Sequence, residues 1–228
     1  MARFASFILL VTAICAAQSP AGNQTSKSLD RPGPANYIFD DDGGAVQVVP
    51  ADLAPSGTRA FHGGLVMQSV QQVSIFLGSG WANAKARSRR GPLADLLTGN
   101  QPAVDLQTRN IKALPAHSMY EDFADLARVP VNDLTIQHRL SVLLQTRAIP
   151  SPTPGTVYVI YLAPEVVSTI GGQRAGVNYA AYHNFVNLDA GEVFYTVVPF
   201  QENQMTHVGA AHRGLVETAL NPRGTGWY

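Results

Sequence analysis

Three short runs constrain the fold of this chain most strongly: Val73-Ser74-Ile75-Phe76-Leu77, Val157-Tyr158-Val159-Ile160-Tyr161-Leu162 and Val193-Phe194-Tyr195-Thr196-Val197-Val198. Each is rich in β-branched and aromatic residues, which suit a pleated, buried surface. The second has no polar break, the pattern of a strand covered on both faces. Between the first two lies Asp133–Thr146, where Leu134, Ile136, Leu140, Leu143 and Leu144 form a helical stripe and Asp133 is placed to cap it. A last helix is expected from Thr206, as N-cap, to Leu220, before Asn221-Pro222. Strands interleaved with helices predict a single α+β (or α/β) domain, a mixed β-sheet packed by helices.

The remaining segments give weaker signals. Ala45 to Val49 reads as a short strand. Val66 to Leu77 reads as strand, loop and strand, ended by Gly78-Ser79-Gly80. Pro92 to Thr98 reads as a turn or two of helix, Val104 to Ile111 as a strand, and Tyr120 to Ala127 as a short helix. His138 is expected on a helix surface and His117 in an exposed irregular stretch. The cluster Arg87, Arg89, Arg90 reads as a solvated loop, and Asp40-Asp41-Asp42-Gly43-Gly44 as an acidic turn.

The amino terminus predicts the compartment. Arg3, the apolar run Phe4 to Ala16, and small residues before Gln18 have the build of a secretory signal peptide. Residues 1–17 are therefore expected to be a leader, 18–36 a flexible Ser/Gly/Pro-rich lead-in, and 37–228 the globular domain. The expected location is extracellular or periplasmic. Cys15, the only cysteine, falls inside the leader, so the mature chain has neither a disulfide nor a thiolate ligand. Sixteen basic and sixteen acidic side chains cancel, and no basic patch points to nucleic acid. No second long apolar run predicts a membrane span in the mature chain.

Several blocks carry a family resemblance. They are Phe61-His62-Gly63-Gly64 with Val66-Met67, Val73 to Trp81, Asp133 to Leu140, Val157 to Pro164, Tyr182-His183, Phe194 to Pro199, and Glu217, Pro222, Trp227 and Tyr228. In that order they resemble secreted bacterial relatives of plant phosphate-induced (EXORDIUM-like) proteins, over some two thirds of the mature chain. The resemblance implies a zincin-like C-terminal helix. There a His and a Glu four residues on would share one face to hold zinc, and a Glu next to the His would act as general base on a metal-bound water.

In this chain the motif is overwritten. Counting back from Pro222 places Glu217 on the second Glu of the motif, Arg213 on the His and Gly214 on the general-base Glu. His212 is one residue out of place, and five residues from Glu217 do not share a helix face. Arg213 and Glu217, four apart, are expected to meet as an ion pair replacing the cation. Two functions follow from this reading. One is a degenerate, non-catalytic protein binding an extracellular or cell-envelope ligand, with no cofactor. The other is a secreted zinc-dependent hydrolase holding its metal with some of His212, Glu217, His183 and His62. No catalytic residue is assigned in either.

Overall fold

The computed structural model describes residues 37–39, 45–53, 61, 63–98, 101–116, 119–122, 126 and 130–226. The expected leader and lead-in, the acidic turn at 40–44, His62, His117, Trp227 and Tyr228 lie outside the described residues.

The three constraining runs become the centre of one eight-stranded sheet. They are β3 (Ser69–Leu77), β6 (Thr156–Leu162) and β10 (Gly191–Val198), parallel to one another with β6 in the middle. Every residue of β6 is buried, as a strand covered on both faces must be. Outside β3 lie β4 (Lys112–Ala113) and β5 (Met119–Asp122), also parallel. On the other side β9 (Tyr179–Leu188) pairs antiparallel with β10, followed by β2 (Ala45–Pro50) and β1 (Tyr37–Phe39), each antiparallel to its neighbour. β7 (Thr169–Ile170) and β8 (Gln173–Arg174) form a separate hairpin. The α+β domain with a mixed sheet is thus observed.

Register assigns the two faces, because directly paired residues point the same way. Tyr158, Tyr195 and Asn184 are successive partners across β6, β10 and β9 and share one face. Val159, Thr196, His183 and Gln47 are the corresponding residues of the other. Helix α4 (Asp133–Gln145) contacts the first face through Asp133, which bonds Tyr195 and Asn184. Helix α5 (Gln204–Leu220) covers the second, where Thr218 meets Thr196. The short helices α1 (Ala84–Arg87), α2 (Arg90–Ala94) and α3 (Gln101–Gln107) lie on the path from β3 to β4, and α2 and α3 pack on α5.

Several local expectations are corrected. Val104 to Gln107 belong to helix α3, not to a strand: Val104 and Leu106 satisfy alternation, but the segment packs on α5 with Leu106 buried and Val104 exposed. Tyr120 to Asp122 form strand β5, because β3 offers an open parallel edge. Ser69–Leu77 is one unbroken strand, with no strand over Val66 to Gln68. The cap of α4 is Asn132, whose side chain accepts from the Thr135 amide at 3.0 Å, and Asp133 turns inward. Leu134 leaves the apolar stripe and is exposed, as is His138. The cap of α5 is Asn203, which accepts from the Met205 and Thr206 amides, so the helix begins before Thr206.

Candidate functional site around the C-terminal helix

Small residues bring α5 onto the sheet. Ala210, Ala211, Gly214, Thr218 and Ala219 are buried along its inner side. Gly214 makes the closest approach: a Cβ there would stand 2.4 Å from the Thr196 methyl. One turn on, the Thr218 hydroxyl donates to the Gly214 carbonyl at 2.7 Å and lies 2.5 Å from the Thr196 hydroxyl.

Past this seam the helix end carries a polar cluster. Gln47, on β2, donates to Glu217 Oε2 at 3.3 Å and accepts from Asn221 Nδ2 at 2.9 Å. The Tyr37 hydroxyl donates to the Gly224 carbonyl at 3.0 Å, and the Gly226 amide donates to Asn221 Oδ1 at 2.6 Å. The buried His183 stands directly across the strand pair from Gln47. Glu217 and His183 are therefore both neighbours of one glutamine, the first by a hydrogen bond and the second by strand pairing. Gly64 crosses Gly226 so closely that a Cβ on it would lie 2.4 Å from the Gly226 Cα, so the segment before β3 packs on the segment after α5.

Two other expected site residues make contacts beyond this cluster. His212 turns to α3, with Nε2 2.8 Å from Asp105 Oδ2. Arg213 donates from Nη1 to the Leu53 carbonyl at 2.7 Å. His62 lies outside the described residues. Among the described residues no three His, Cys, Asp or Glu side chains are grouped to hold a metal ion. A zinc centre of the zincin kind does not fit them: the His212 ring is directed to Asp105, and no group of three described ligating side chains surrounds it.

A second polar cluster, not anticipated from sequence, lies on the opposite sheet face. Asp133 is almost wholly buried and accepts from Tyr195 at 2.8 and 2.9 Å, from Asn184 at 2.8 Å and from Gln137 at 2.8 Å. Burial pushes its carboxyl above the usual carboxylate range, against the pull of those hydrogen bonds. Burial, and then the neighbouring Asp133, raises the Tyr195 and Tyr182 hydroxyls well above theirs. The available signal was the number of tyrosines in the strand runs, since a buried tyrosine hydroxyl needs a partner.

At the carboxyl ends of the parallel strands, two of the three clustered arginines prove not to be solvated. Arg89 is buried and donates to the Gln201 and Glu202 carbonyls at 2.6 and 2.7 Å, and Arg90 pairs with Glu121. Arg87 alone is exposed. Ser79 opens a short 3-10 helix, Ser79–Ala82, with Glu165 accepting from its hydroxyl at 3.3 Å and from the Gly80 amide at 2.7 Å. At the amino ends of β3, β6 and β10 an open groove of about 440 Å³ is walled by Leu65, Met67, Pro152, Pro154 and Phe194. Arg223 and Glu192, paired at 2.7 Å, also line it. No described helix is long and apolar enough to cross a membrane. Comparison with protein families, with curated proteins and with solved structures finds no match to this chain.

Proposed function

We propose that this chain is a secreted, non-catalytic member of the EXORDIUM-like, zincin-like lineage and acts by binding a ligand outside the cell or in the cell envelope. The observation that carries this reading is the seat of Gly214. On the registration from Pro222, this residue occupies the position of the general base, and the Thr196 methyl fills the space a side chain there would need. A base cannot be restored without moving α5 off the sheet. The hydrogen bonds from Gln47 to Glu217 and from Arg213 to Leu53 support a helix organised by polar contacts to neighbouring elements. The groove lined by Leu65 and Phe194 is in the size range of small-ligand sites and supports a binding role.

The test is the metal content of the purified chain from Gln18 onward, measured by mass spectrometry after exposure to zinc and desalting. We expect no stoichiometric zinc. Roughly one zinc per chain, lost in Glu217→Ala, would overturn this reading in favour of a zinc-dependent hydrolase with a rearranged site around His212 and Glu217.

A further inference from the structure

His207 lies in the first turns of α5 and is completely buried, yet neither ring nitrogen has a hydrogen-bond partner among the described residues. Three aromatic rings enclose it. Phe200 lies 5.3 Å away edge-on, Trp81 6.2 Å away and nearly coplanar in orientation, and Tyr161 6.3 Å away edge-on. A buried imidazole with no partner carries a desolvation cost that calls for an explanation.

The remaining neighbour is a cation. The Arg89 guanidinium lies 4.8 Å from the centre of the same Phe200 ring and grips the Gln201 and Glu202 carbonyls. That grip holds the segment leading to Asn203, the cap of α5. The charged and titratable groups around the cage are few. Arg89 precedes α2, the exposed Lys85–Glu202 pair lies beyond it, and β6 contributes Tyr161, whose hydroxyl donates to the Leu93 carbonyl. Trp81 and Phe200 carry no charge. Among the described residues no carboxylate pairs with the His207 ring.

We propose that this cage is an acid-sensitive latch. Protonation of His207 sets a second cation against the Phe200 ring that Arg89 already occupies, and the repulsion releases Arg89 from the Gln201 and Glu202 carbonyls. Residues 199–203 and the start of α5 then loosen and expose Trp81, while the rest of the sheet stays folded. Burial, and then Arg89, push the His207 ring down to about 4, so the latch is shut at neutral pH and opens only in acid.

The experiment follows acrylamide quenching of Trp81 fluorescence in the mature chain from pH 7 down to pH 4, in a Trp227→Phe background, since Trp81 and Trp227 are the two tryptophans. Far-UV circular dichroism is recorded in parallel. The quenching constant is expected to at least double, reversibly, as pH falls to about 4 and before helicity is lost. His207→Leu should abolish the rise, with His207→Phe as a second variant that suits the aromatic cage. Arg89→Met should leave Trp81 accessible already at pH 7. A flat profile, an undiminished rise in both His207 variants, or a rise that coincides with loss of helicity would overturn the latch.

Discussion

The Gly214 Cα faces the Thr196 side chain so closely that an added Cβ would lie 2.4 Å from the Thr196 Cγ2. This contact sets the distance between the last helix and the sheet. Alanine favours helix over glycine by about 1 kcal/mol, so on an exposed face Gly214→Ala would stabilise. Here overpacking opposes it, and the variant is expected to lose about 1–3 kcal/mol in urea denaturation. Adding Thr196→Ser removes the clashing methyl and keeps a hydroxyl for Thr218, so it should recover most of that loss. Equal stability of Gly214→Ala and wild type would mean that α5 is free to shift.

Asp133 ties α4 to β9 and β10. Asp133→Ala would strand the Tyr195 hydroxyl and the Asn184 and Gln137 amides and is expected to cost about 3 kcal/mol. The pH dependence has a definite sign. Because the folded carboxyl is raised above its unfolded value, the native state binds its proton more tightly. The associated stability is present below the unfolded pKa of 3.8 and is lost as pH rises through the folded one. Asp133→Asn should be flat across that window. Urea midpoints of both variants against pH provide the check.

His207 acts in the opposite sense. Its folded pKa, near 4, lies below the ordinary 6.5, so there is no penalty above 6.5 and stability falls as pH drops towards 4. The shift corresponds to a ceiling of about 3 kcal/mol. Denaturation curves of wild type and His207→Leu should therefore diverge by up to that amount between these two values. Parallel curves would show that His207 is not buried as a neutral ring.

The His212–Asp105 contact is half-exposed and joins α3 to α5. Its coupling energy in a double-mutant cycle of His212→Ala and Asp105→Ala should be below about 1 kcal/mol. His212→Ala should also leave zinc retention unchanged. A drop in retained zinc with this variant would place His212 in a metal site.

How much of this was legible varies by residue, for physical reasons. The runs in β3, β6 and β10 could be read directly, because unbroken apolar stretches have nowhere to go but the middle of a sheet. Leu106 was misplaced because a four-residue segment fits both periods, and only contact with α5 decides. Asp133 was taken for a cap because Asn132 and Asp133 are chemically similar at a helix start; the asparagine took the Thr135 amide and left the aspartate to face Tyr195. Gly214 could be placed on the last helix by counting from Pro222, but that nothing larger fits there is decided by a threonine methyl on another element.

By itself the sequence determined that a buried mixed sheet would form with helices against it, and that a last helix would stop at Leu220 before Asn221-Pro222. Both follow from side-chain size and periodicity, which are local. Tertiary structure alone decided which polar groups satisfy one another: Gln47 with Glu217, Asp133 with Tyr195, Arg89 with the carbonyls beside His207's cage. Those partners lie far apart along the chain, and a buried polar group must be satisfied by whatever the fold sets beside it.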